Sequence, residues 1–205
     1  MKKVVATIIT IVLLINGSVV RAEILPALEL ERNSSSYSGG GTDQTHGWEF
    51  TVNEDLGVAG LGIFDLEEEP MYAPGLMYSH EIGIWHSGQL MYSTTIPAGT
   101  EGVLVDQFRY IEVDPFWLTA GETYVIGNTT VGDPFVGNSS LTTIITTPSI
   151  TYERTLFSPS DSGFSLPTSE QEFYLFGPNF LIIPEPMTLV MFSLGGLLLV
   201  RKRSR

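Results

Sequence analysis

The strongest constraint on the fold is apolar alternation at every second position, in short runs, between residues 45 and 183. Trp48, Phe50 and Val52 share one face of a strand, because side chains in a strand point alternately to its two faces. Val58 to Phe64 reads as a second strand, with Ala59, Leu61 and Ile63 on one side and Gly60 and Gly62 on the other. Glu81 to His86 is a third, in which Ile82 and Ile84 alternate against Glu81, Gly83 and Trp85. Ser87-Gly88 is a two-residue hairpin turn, and Gln89 to Ile96 returns from it. Phe108 to Val113 follows and is ended by Asp114-Pro115; Ala120-Gly121 then turns the chain into Thr123 to Asn128. Further strands are expected at Leu141 to Thr147, Ile150 to Leu156 and Glu172 to Ile182. Short strands with frequent turn signals, and no helical period between the two ends, predict an all-β domain over 45–183. The expected architecture is an antiparallel β-sandwich, jelly-roll or immunoglobulin-like. Residues 23–44 carry little periodicity and include a Ser/Gly cluster, which predicts a loose N-terminal segment.

The two ends follow other rules. Met1-Lys2-Lys3 precedes an apolar stretch from Val4 to Ile15, and Val20-Arg21-Ala22 offers small residues at the −3 and −1 positions of a cleavage site. A span of the hydrocarbon needs about 20 residues, so 1–22 reads as a secretory signal helix that is removed. At the other end, Pro184-Glu185-Pro186 halts regular structure. An uncharged run, 187–200, follows, and then Arg201, Lys202, Arg203 and Arg205. As a helix the run is about 21 Å long at ~1.5 Å per residue. It is a short membrane helix whose basic end stays cytoplasmic, which places the body in the periplasm.

Charge narrows the partners. Seven of the ten basic residues lie in these two ends, leaving Arg32, Arg109 and Arg154 against 22 of the 23 acids, all but Glu185, a net charge of −19 for the part between. Phosphate recognition needs a basic footprint, so nucleic acid is not expected as a partner. The absence of cysteine excludes disulfides, thiolate metal sites and cysteine nucleophiles.

The order Pro184-Glu185-Pro186, short apolar helix, basic end resembles the PEP-CTERM sorting signal of Gram-negative bacteria. That resemblance implies recognition by an exosortase-type membrane protease. It implies inner-membrane anchoring before processing and a destination at the cell surface or in an exopolysaccharide and biofilm matrix. The stretch Trp48 to Val136 is similar to an extracellular domain of unknown function that recurs in PEP-CTERM proteins. The matching positions are His80, Gly83, Trp85, Gly88, Leu118, Gly121, Tyr124 and Ile126. This second resemblance implies a β-sandwich and no particular activity.

Candidate chemistry is sparse. His80 and His86 share a strand face but stand about 20 Å apart at ~3.3 Å per residue, too far for one metal in a regular strand. Asp65-Leu66-Glu67-Glu68-Glu69-Pro70 is acidic enough for calcium, but it lacks the spacing and internal glycine of a calcium loop. No cofactor or metal site is therefore expected, with calcium the one open alternative. No nucleophile elbow or phosphate-binding glycine loop occurs, and the chain reads as not an enzyme. Trp85, Tyr92, Tyr110, Phe116, Trp117 and Tyr72 are candidates for a sugar-stacking platform or for core. If the Trp85 face points outward, Trp85 and Trp117 are the candidate glycan contacts. The leading expectation is a non-catalytic surface or matrix protein. The alternative is a carbohydrate-binding module for exopolysaccharide, and the third is an enzyme acting on polysaccharide.

Overall fold

The computed structural model describes residues 24–32, 37–38, 43–65, 74–133, 135–137, 142–170 and 175–183. The leader, most of the acidic stretch, Tyr72 and the tail from Pro184 to Arg205 lie outside the described residues. Every regular element described is a strand. In chain order these are β1 (Leu25–Pro26), β2 (Leu28–Arg32), β3 (Tyr37–Ser38), β4 (Thr45–Val52), β5 (Leu56–Phe64), β6 (His80–His86), β7 (Gln89–Ile96) and β8 (Val103–Val105). They continue with β9 (Phe108–Leu118), β10 (Thr123–Thr129), β11 (Phe135–Gly137), β12 (Thr142–Thr146), β13 (Ile150–Phe157), β14 (Ser169–Glu170), β15 (Leu175–Phe176) and β16 (Pro178–Ile183).

Two antiparallel sheets dominate, a five-stranded one in the order β1-β16-β5-β9-β8 and a six-stranded one in the order β14-β13-β4-β10-β6-β7. The chain crosses from one sheet to the other after β4, β5, β7 and β9. Trp48, Phe50 and Val52 of β4 are fully buried, as their alternation predicts. They meet the opposite sheet directly: the rings of Trp48 and Phe180 stack with centroids 5.9 Å apart, and Phe50 lies 5.1 Å from Phe180. The Trp48 indole N–H, which burial would leave without water, donates to the Pro178 carbonyl at 2.8 Å. Ile82, Ile84 and Ile126 complete the six-stranded side of this core.

The Ser87-Gly88 turn closes β6 onto β7 with φ of 50° and 79°. Positive φ at both central residues is what a type I′ hairpin needs to match the strand twist.

Three local expectations are corrected. Residues 23–44 are not uniformly loose, since Ala27 and Leu28 are buried. β1 pairs with β16 and β2 with β12. The Asn179 amide donates to the Leu28 carbonyl at 2.8 Å while its oxygen accepts the Leu28 N–H at 3.3 Å. These partners are 151 positions away in sequence, so local periodicity carries no trace of them. Asp114-Pro115 does not end its strand. β9 runs on to Leu118, and the mismatch with β5 is absorbed where Val58 pairs Phe116 but Gly60 pairs Glu112. Proline lacks the N–H of the ladder and has a fixed φ, and a bulge is where a strand tolerates it. Ala59 sits at that same irregularity, so the buried phase of β5 changes from Leu56 and Val58 to Leu61 and Ile63.

Candidate functional site

The outer face of the six-stranded sheet is built from the residues that alternate with its core. Two cross-strand rows decide its shape. In one, Gly83 of β6, Gly127 of β10 and Gly47 of β4 stand directly opposite one another. Without side chains, this row is a shallow corridor. The segment 158–168 crosses it: a Cβ at Gly83 would come within 2.9 Å of the Phe164 ring, and one at Gly127 within 3.3 Å of Pro167. Thr45 fastens this strap. Its N–H donates to the Ser158 hydroxyl at 2.8 Å, and its own hydroxyl donates to the Gly163 carbonyl at 3.0 Å. The same hydroxyl accepts the Ser165 N–H at 2.9 Å.

The adjacent row runs Trp85, Val125, Glu49, Arg154 across β6, β10, β4 and β13. It forms the floor of an open groove of about 460 Å³. Leu166, Pro167 and Thr168 of the strap make one wall, and the Ser87-Gly88 and Gly121-Glu122 turns contribute the other. Arg154 reaches this face through a bulge. The β13–β4 register shifts between Tyr152 and Arg154, so neighbouring Glu153 and Arg154 both point outward. Glu153 accepts the Thr51 hydroxyl at 2.7 Å, and Arg154 Nε donates to Glu49 at 2.7 Å with a second bond at 3.2 Å. Bonding to Glu49 raises the Arg154 pKa above its ordinary value, so the guanidinium stays charged. Arg154 also lies 3.5 Å from Glu170. At the turn wall, His86 Nε2 lies 3.0 Å from Glu122, and its ring rests on Tyr124 at 4.7 Å.

The residues singled out from sequence are dispersed. Trp85 does line the groove, but it is only 5% exposed because Phe164 covers its ring at 5.0 Å. The expectation of an outward stacking surface at Trp85 is therefore corrected: the strap occupies the indole face. Trp117 is 53% exposed, yet it belongs to β9 of the other sheet. Tyr110 is core, packed over Gly62, and burial pushes its phenol pKa up. Tyr92 and Phe116 stack on one another at 4.7 Å. The five of these aromatics among the described residues therefore form no single platform.

The histidines also separate. His80 is buried, with Nδ1 2.7 Å from the Thr129 carbonyl and Nε2 2.9 Å from Asp133. Asp133 further accepts the N–H groups of Met77 and Tyr78, each at 2.8 Å. His46 packs edge-on against Phe135 at 4.8 Å, and burial lowers its pKa to about 4. Among the described residues, no three His, Asp or Glu side chains gather as a metal-binding set.

Glu49, Glu122, Val125 and the strap were not foreseen as site residues. Outward phase alone marks Glu49 and Val125, and Arg154 stood out only as one of the few cations of the body. No protein-family profile and no curated protein matches the chain.

Proposed function

We propose that this chain is a non-catalytic exported protein of the cell surface or extracellular matrix. Its body is a β-sandwich of jelly-roll or immunoglobulin-like kind. The Tyr124 hydroxyl, which accepts the backbone N–H of Thr119 at 3.0 Å, is consistent with the corner that closes such Greek-key sandwiches. Delivery is assigned to the PEP-CTERM-like tail: an exosortase-type protease of the inner membrane recognises Pro184, Glu185 and Pro186, and Arg201, Lys202, Arg203 and Arg205 hold the cytoplasmic end. The observation that carries the non-catalytic part is that the two groove carboxylates already have partners, Glu49 with Arg154 and Glu122 with His86.

The test of sorting is the intact mass of protein recovered from cells, with the motif intact and with Pro184, Glu185 and Pro186 all replaced by Ala. The expected outcome is loss of 187–205 from the wild type and retention in the variant. A wild-type protein that keeps its tail would defeat the sorting assignment.

A second reading, a carbohydrate-binding module for exopolysaccharide, is favoured by the groove. Its floor sets Trp85 and Val125 beside Glu49 and Arg154, and its volume falls in the range of small-ligand sites, about 300 to 1,000 Å³.

A further inference from the structure

We propose that the groove binds a neutral, polyhydroxylated glycan chain laid along the Trp85–Val125–Glu49–Arg154 row. This rests on the carbohydrate reading just given and adds the class of glycan and the atoms that hold it.

Charge decides the class. The groove contributes Glu49, Glu122 and Arg154, with Glu170 beside them. The body as a whole is strongly acidic, with 22 acids against three basic residues between 23 and 183. A polyuronate or sulfated chain would enter against that field. A polycation faces the opposite difficulty. Glu49 is bonded twice to Arg154, so an ammonium group reaching Glu49 would stand beside a like charge and could accept none of the guanidinium N–H groups. A hydroxyl displaces nothing. It donates to a remaining carboxylate lone pair and accepts from a guanidinium or imidazole N–H, so it can join each pair as it stands.

Shape agrees with charge. An apolar strip of Val125, Leu156, Leu166 and Pro167 follows the strap side of the groove, with the Glu49–Arg154 pair on the floor beside it and the Glu122–His86 pair at the turn wall. Sugar rings present C–H faces and hydroxyl edges, and this strip suits the former while the pairs suit the latter. Four strands at about 4.8 Å spacing give a floor about 14 Å long, a length suited to a stretch of polymer. With Phe164 on the Trp85 ring, hydroxyl contacts and the apolar strip provide the recognition, and aromatic stacking does not.

The test is isothermal titration of the detergent-solubilised full chain with neutral gluco- and galacto-oligosaccharides, an oligo-uronate and an oligo-glucosamine. Val125→Arg fills the floor with a charged side chain and is expected to weaken neutral-glycan binding by about tenfold or more. Glu122→Gln, at an exposed wall where folding is undisturbed, is expected to weaken it by about threefold. Thr95→Arg, on exposed β7 outside the groove, is expected to bind as the wild type does. Tighter binding of either charged oligomer overturns the proposal. Neutral binding that survives both groove substitutions overturns the groove assignment while sparing the carbohydrate reading. Failure to bind any of the three classes defeats both.

Discussion

β6 ends in the same chemical pair twice, and the two pairs do different things. At its start, His80 meets Asp133 at 2.9 Å; at its end, His86 meets Glu122 at 3.0 Å. The distances hardly differ, but the side chains are 2% and 7% exposed in the first pair and 32% and 53% in the second. The buried carboxylate also holds two backbone N–H groups of the 74–79 loop, so it joins that loop to β6, and His80 in turn is bonded to the Thr129 carbonyl at the end of β10. The exposed pair joins only two turns at the lip of a groove. Separation alone is therefore a poor guide to what an ion pair or hydrogen bond contributes. Exclusion of water and the number of dependent donors decide it.

The sharpest way to break the comparison is Asp133→Ala. It strips an acceptor from His80, Met77 and Tyr78 together, and a destabilisation on the order of 3–4 kcal/mol is expected in urea unfolding. A loss below about 1 kcal/mol would place this pair in the same class as the exposed one.

The third histidine provides an intermediate case, burial without a carboxylate. His46 has a folded pKa of about 4 against an ordinary 6.5. The folded state thus disfavours the proton, so the stabilisation from a neutral ring is complete above pH 6.5 and is lost as pH falls toward 4. Across that window wild type should lose on the order of 2–3 kcal/mol more than His46→Gln. Parallel stability–pH curves for the two proteins would show that the buried ring does not sense protons.

The smallest effect belongs to Glu122→Ala, which should cost about 0–1 kcal/mol and respond to added salt. A cost as large as that of Asp133→Ala would remove the distinction on which the comparison stands.

Much of the fold could be read from the sequence, because local signals and tertiary structure agree there. β4, β6 and β10 alternate, and Ser87-Gly88 marks its own turn. The rest depended on partners remote in the chain. Leu28 is held by Asn179, and nothing around residue 28 announces it. Asp114-Pro115 has the chemistry of a stop, but the sheet accommodates it as an irregularity. The groove was less legible than the fold. Trp85 could be set opposite Ile82 and Ile84, but which face pointed outward stayed open, and Phe164, from a segment with no periodicity, covers the ring. Arg154 faces Glu49 only because a bulge advances the phase of β13 by one residue.

The row Gly47, Gly127, Gly83 has a further consequence. The corridor exists only while three separate strands are aligned to the residue. A slip of β6 by one position would bring Ile82 or Ile84 to the outer face in place of Gly83, and a slip of β4 would bring His46 or Trp48. Either would fill the channel in which Phe164 and Pro167 lie. The strap thus proofreads the sheet: it can close only over a correctly assembled one, and its closure then penalises any later misalignment of the strands beneath it.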